Sequence, residues 1–259
     1  MYKFLLSPKW IGFHLLCAAA IAGMISLGLW QLRRLDEKQA FNAQVTANTD
    51  ADVAPLSDVL AVDPDELDGQ AYRRIEVTGS YLATPQFEVV NVSQDGLNGR
   101  DAVNALQLDD GSLVIVNRGF VAAGSALPAP PTGEVQLLAR IKTGQRAGTG
   151  QTGDDGSQQL SEIRRVDLEA LGQQFDQPLA PVYLELLQSS PAEPSTMQPI
   201  AFPELGEGPH LSYAIQWFIF TISVAVGWVF AIRKSVADRT KPKKPSKFKA
   251  VERYDPAAS

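Results

Sequence analysis

Two histidines and one cysteine are the chain's whole supply of imidazole and thiol. His210 stands in Gly208-Pro209-His210-Leu211-Ser212-Tyr213, at the entrance to an apolar run. Helical spacing puts His210, Tyr213, Ala214 and Trp217 on one face. An imidazole beside a small residue and two aromatic rings has the makings of an axial haem ligand, with the macrocycle lying along the helix. The same histidine suits a plainer role, capping or hydrogen-bonding at a helix start, and the residues leave both open. His14 lies in the other apolar run. With the two helices antiparallel, on the order of 20 Å or more separates the histidines at 1.5 Å per residue, so they cannot share one iron in a monomer. A structural role is expected for His14. Cys17 reads as a small buried hydrophobe; a lipoprotein anchor would need a small residue before it, where Leu16 stands.

Other chemistry is excluded by what is missing. The sequence has no GxSxG elbow, HExxH, Gly-Lys-Ser/Thr phosphate cradle or dinucleotide fingerprint. With His210 at the very edge of the central region, a Ser-His-Asp or Cys-His hydrolase has no base. The carboxylates are scattered through loops, as solvated charge. One cysteine allows neither an internal disulfide nor a thiolate metal cage. The chain is not expected to be an enzyme.

The elements that must position His210 are two apolar segments and the region between them. Trp10 to Leu29 is twenty residues free of Asp, Glu, Lys and Arg, which matches the ~20 residues that cross ~30 Å of hydrocarbon. Trp10 and Trp30 sit at its ends, where amphipathic rings favour the headgroup level. A cleaved signal peptide would have a shorter apolar core; this one continues past Ala18-Ala19-Ala20. Leu211 to Ile232 is likewise uncharged and ends in Arg233-Lys234. Ala19/Gly23 and Ser223/Gly227 have small-xxx-small spacing, and Gln216, Thr221 and Ser223 offer hydrogen bonds between helices.

Charge gives the direction. The net charge of −6 hides a segregation: residues 33–210 carry 12 Lys/Arg against 26 Asp/Glu, and residues 233–259 carry 9 against 3. Positive charge is retained on the cytoplasmic side. The expected layout is therefore a cytoplasmic N-terminus (1–9), a first span (10–30), an extracytoplasmic domain (31–210), a second span (211–232) and a basic cytoplasmic tail (233–259), in a plasma membrane. Arg33 and Arg34 oppose this mildly and the tail outweighs them. An acidic centre has no surface for nucleic acid, so lipid is the expected environment.

Between the spans the helical pattern continues through Gln31 to about Asn48, and Leu56–Leu60 reads as one short helical turn. The period then changes to two. Strands are expected over Arg74–Tyr81, Phe87–Val92 (after the turn signal Thr84-Pro85), Val103–Leu108, Leu113–Val121, Glu134–Thr143, Leu160–Val166 and Pro181–Leu186. Asp109-Asp110-Gly111-Ser112 is a hairpin signal. Asp167 caps a short helix, Leu168–Phe175. Ala126–Pro131 and the prolines from Pro191 to Pro209 are extended connectors, and Gly144–Gln159 a surface loop. The fold class is α+β: two membrane helices flanking a mainly antiparallel, barrel-like sheet domain with one or two short helices.

Four segments resemble one family. Leu27-Gly28-Leu29-Trp30-Gln31-Leu32-Arg33-Arg34 is similar to the exit of the first span in the Surfeit-locus family of cytochrome c oxidase assembly proteins. Val77-Thr78-Gly79-Ser80-Tyr81 resembles its first strand, and Val116-Asn117-Arg118-Gly119-Phe120-Val121 its most distinctive segment. His210-Leu211-Ser212-Tyr213-Ala214-Ile215-Gln216-Trp217-Phe218 resembles its entry into the second span. All four occur in family order. Ala105-Leu106 departs from the Pro-Leu pair common in the family, and the Gly144–Gln159 loop is this chain's own.

The resemblance implies a bacterial membrane chaperone of the respiratory chain, acting where a-type haem enters the catalytic subunit of cytochrome c oxidase. It makes the oxidase subunits the expected partners, and transiently held haem a the expected cofactor. His210 matches the family's implicated iron ligand. Tyr213 and Trp217 would be pocket walls, and Arg33 and Arg118 contacts to haem propionates or to a partner. For Arg118, an exposed strand-end arginine in a local salt bridge is the plainer alternative. Gly79 and Gly119 are expected at strand bends or bulges. The competing function is a scaffold that stabilises the oxidase without holding haem.

Overall fold

A computed structural model describes residues 3–240, so the Lys-rich tail from Lys241 on lies outside the described residues. The chain divides into two compact units: residues up to Lys38 with those from Glu207 on, and Gln39–Gly206. The elements in order are α1 (Pro8–Asp50), β1 (Ala54–Pro55), α2 (Leu56–Leu60), a 3₁₀ turn (Pro64–Gln70), β2 (Arg74–Gln94), β3 (Leu97–Gln107), β4 (Leu113–Ala122), β5 (Glu134–Thr143), β6 (Glu162–Ile163), α3 (Leu168–Gly172), β7 (Leu179–Ser190), β8 (Met197–Gln198) and α4 (His210–Thr240). Both α1 and α4 are long and apolar enough to cross a membrane.

In the helical unit the half-buried and buried positions of α1 include His14, Cys17, Ile21, Met24, Gly28, Gln31 and Leu35. Those intervals alternate three and four, the spacing that keeps one seam facing a partner helix. On α4 the matching positions include His210, Ala214, Trp217, Thr221, Val224 and Trp228. The helices come close at Gly28, where an added Cβ would stand 2.9 Å from the Phe218 ring. Gly23 and Gly227 meet nothing within 4 Å, so the small-xxx-small pairs expected to pack the spans do not do so. Thr221 and Ser223 hydrogen-bond back to the carbonyls of Trp217 and Ile219 on their own helix. That local bond satisfies a hydroxyl without a partner helix. The hydrogen bonds between helices come instead from the two histidines.

In the sheet unit β2 pairs with β5 through Arg74–Ser80 and with β3 from Ser80 on. The path β2–β3–β4–β7–β5 therefore returns to β2. Long-strand pairings are antiparallel except β4–β7. The turn signal at Thr84-Pro85 does not end the strand: β2 runs through it, with its register to β3 shifting between Tyr81 and Gln86. The expected strand Leu160–Val166 shrinks to Glu162–Ile163, which pairs with β2. The hairpin Asp109–Ser112 forms as its residues require, with Gly111 at φ +82° and Asp110 accepting from the Ser112 amide and hydroxyl. Asp167 caps α3 by accepting from the Glu169 and Ala170 amides.

β4 is buried on both faces, as its unbroken run Leu113-Val114-Ile115-Val116 demands. Val114 and Val116 join Leu106, Ile141 and Leu184 in one core cluster. Leu113 and Ile115 join Phe87, Val103, Leu171 and Tyr183 in a second. One strand thus serves two cores.

Candidate functional site

Two arrangements deserve the name of a site, one in each unit. In the helical unit, His210 is the first residue of α4 and Gln31 lies in the α1 seam. His210 Nδ1 is 2.8 Å from Gln31 Oε1. A carboxamide oxygen only accepts, so Nδ1 carries the proton and, in the neutral ring, Nε2 keeps its lone pair. Gly208 lies beside that edge of the ring: its φ is +70°, and a Cβ there would stand 3.4 Å from Cδ2 and 3.5 Å from Nε2. Glycine permits the turn into the helix and places no side chain of its own beside Nε2.

The two histidines are wired in opposite senses. Trp228 Nε1–H donates to His14 Nδ1 at 2.8 Å. That bond consumes the lone pair of Nδ1 and leaves the proton on Nε2, so His14 has no nitrogen left for a metal. About 26 Å of helix rise separates His14 from Gln31, and about 27 Å separates His210 from Trp228. The two hydrogen bonds therefore bracket a length close to the ~30 Å of a hydrocarbon core.

Among the other residues expected at the site, Ala214 is buried and Trp217 is half-buried, its ring edge-on to Phe220 at 6.0 Å. Tyr213 is 48% exposed and outside the seam. Arg33 is exposed; two residues beyond Gln31, it points about 200° away round the helix. Arg34, one turn from Gln31, pairs with Glu37 at 2.6 Å. The sequence shows Gln31 only as part of the helix leaving the first span and does not mark it as the partner of His210. The signal was present in the three-four spacing from His14 to Leu35.

In the sheet unit, Arg118 overturns the expectation of an exposed strand-end side chain. Ala102 pairs with Gly119 and Val103 with Asn117, so Arg118 is the extra residue of a β-bulge. A bulge re-aims the side chain it carries, and this one is turned inward, 2% exposed. Nε and Nη2 grip Glu193 at 2.9 and 2.6 Å. Nη1 donates to Asn104 Oδ1 and the Pro128 carbonyl, and Nη2 also to the Ala129 carbonyl. All five guanidinium N–H groups are thereby used, leaving none for a propionate or a partner carboxylate. Arg118 ties the Pro-rich connector and the segment after β7 to the sheet. Tyr81 lies under it, 5.5 Å from ring centre to guanidinium carbon, and burial, with Glu193 nearby, raises the phenol's pKa.

Gly119 follows at φ +150°, and a Cβ there would meet the Gln198 carbonyl at 2.6 Å and Met197 Cγ at 2.7 Å. β8 could not otherwise lie on β4. A polar row crosses four strands beside it. Asn117 Nδ2 donates to Asp101 Oδ2 at 2.9 Å, Asn117 is in register with Glu185, and Glu185 accepts from Arg140 Nε at 2.6 Å. Arg140 Nη2 reaches the Ile200 and Ala201 carbonyls, and Gln94 donates to the Pro199 carbonyl while accepting from the Ala201 amide. Asp101 Oδ1 and Asn117 Oδ1 are buried without a partner. Burial, opposed by the Asn117 bond and reinforced by Glu185, pushes the Asp101 carboxyl up to about 6.

Among the described residues no three His, Cys, Asp or Glu gather into a metal cluster. An axial haem ligand needs only one imidazole, and His210 offers a ring oriented through Nδ1 with a lone pair on Nε2. The residues present at this end fit that group.

Comparison with known proteins agrees with the four motifs. The sequence model of the SURF1 family matches residues 18–222. An uncharacterized SURF1-like protein of Mycobacterium tuberculosis strain H37Rv is 29% identical, with 97% of both chains covered. A SURF1-like protein of Monosiga brevicollis is 26% identical over 80% of this chain and 83% of its own. Surfeit locus protein 1 of Takifugu rubripes is 29% identical over 44% of this chain and 50% of its own. The match takes in the exit of α1, the bulged β4 and the entry to α4, and the chain belongs to the SURF1 family, which is known for cytochrome c oxidase assembly.

Proposed function

We propose that the protein is a non-enzymatic assembly factor that holds a-type haem at His210 and passes it to the haem-bearing catalytic subunit of cytochrome c oxidase. The observation that carries this reading is the His210–Gln31 hydrogen bond, which fixes the ring and leaves Nε2 free to ligate. Haem bound there would supply the redox centre that the oxidase needs; every other task falls to the chain. His210 would hold the iron, with Tyr213 and Trp217 one and two turns along the same helix as pocket walls; Arg33, about 200° round α1 from Gln31, is left for a partner contact. Arg118 keeps the sheet unit in shape. The segregated charges favour a plasma-membrane protein with both termini cytoplasmic and the acidic domain outside.

A second reading is a scaffold that clasps the oxidase without haem. The clamps at Arg118, Arg140 and Gln94 favour it, because they make the sheet unit a firm platform whatever happens at His210. One experiment separates the two: a deletion strain scored for oxidase haem content and rescued with wild-type protein or His210→Ala. Haem delivery at His210 requires that wild type restore haem a and His210→Ala fail, with a Soret band on the purified wild type that the variant lacks. Full rescue by a colourless His210→Ala protein would leave only the scaffold.

A further inference from the structure

The end of the helical unit opposite His210 has a cleft that the assembly function does not use. Lys9, Trp10 and Phe13 of α1 and Ala231 of α4 line about 230 Å³. Its two lining rings, Trp10 and Phe13, meet edge to face at 5.5 Å, and Phe4 packs edge-on to Trp10 at 5.6 Å. Below it the Trp228–His14 hydrogen bond joins the two helices. Trp10, Phe13 and Ala231 make the cleft apolar, and Lys9 adds a cationic side chain to its lining. Lys234 is one helical turn from Ala231, on the same face. Lys3, Arg233 and Arg239 add positive charge at this end, with Arg239 stacked on the Phe4 ring at 4.1 Å.

We propose that this cleft binds one anionic phospholipid, with an acyl chain against Trp10, Phe13 and Ala231 and the phosphate between Lys9 and Lys234. Charge complementarity selects the occupant. A zwitterionic lipid would fill the apolar part equally well but would leave the cations uncompensated, whereas an anionic headgroup gains from each basic residue at the surface. Free phosphate would satisfy Lys9 and Lys234 while leaving the aromatic walls bare. The inference is independent of haem binding at the other end.

The test is native mass spectrometry of the full-length protein from nanodiscs of equal phosphatidylglycerol and phosphatidylcholine. Wild type is expected to retain phosphatidylglycerol preferentially, with one molecule bound most tightly. Lys9→Gln/Lys234→Gln is expected to lose the preference, by roughly five-fold per charge removed. Ala231→Leu is expected to lose the tightly held lipid by filling the cleft. Lys3→Gln, which removes a charge at the same end that does not line the cleft, should keep it. Equal retention of both lipids by wild type would overturn the proposal. So would an equal loss in Lys3→Gln, which would mean diffuse attraction to the surface, or displacement of the lipid by millimolar inorganic phosphate.

Discussion

His210 and Gln31 are 179 positions apart in the chain, yet their Nδ1 and Oε1 atoms lie 2.8 Å apart across the helix seam. The bond decides which nitrogen of the ring can act. A ligating histidine is oriented by what its other nitrogen donates to, and removing such a partner commonly costs 10- to 100-fold in affinity.

Gln31→Leu is therefore expected to lower the haem content of the purified protein by at least about ten-fold, without removing the ligand itself. Gln31→Glu, which keeps an acceptor facing Nδ1, should retain the Soret band. Haem titration of the three proteins checks this. Equal binding by Gln31→Leu and wild type would remove Gln31 from the site.

Arg118→Met would leave the Glu193 carboxylate partly buried without its cation and three acceptors without a donor. Breaking a buried pair from one side costs about 3–5 kcal/mol. Arg118→Lys should recover little, because an ammonium has three donors and no planar fork. Thermal unfolding of the full chain in detergent should show a drop on the order of 10 °C for both. A drop in Arg118→Met that Arg118→Lys fully restores would mean that charge alone matters there.

The Asp101–Asn117 pair makes a prediction about pH. Two buried oxygens without partners, one on each side chain, are satisfied together if Asp101 is protonated and donates to Asn117 while Asn117 donates back. The carboxyl's value in the folded protein, about 6, lies above its ordinary 3.8. Between these values the folded form holds the proton and the unfolded chain has released it. Stability is then full below about pH 4, falls as pH rises to about 6, and stays reduced above, by on the order of 3 kcal/mol. Asp101→Asn keeps the shape without the charge and should be more stable than wild type at pH 7.5, with a flatter profile down to pH 5. Denaturant melts at both pH values decide it; parallel profiles for the two proteins would place the charge elsewhere.

Local pattern determined much of this protein by itself. Apolar length marked two helices long enough to cross a membrane, because hydrocarbon thickness and helix rise set the ~20 residues a span needs. Alternation and the Asp110-Gly111 signal located most strands and the β3–β4 hairpin. The histidine at the mouth of α4 was visible because only two exist. Partners were decided in three dimensions. Nothing local to Arg118 reveals that a bulge turns it inward or that Glu193 comes to meet it, since a bulge depends on the neighbouring strand's register. Nothing local to Gly28 or Gly23 says which one faces Phe218, since packing depends on how the second helix is rotated. The tautomer of His210 was settled last, because it belongs to a hydrogen bond whose two ends are brought together by the pairing of α1 with α4.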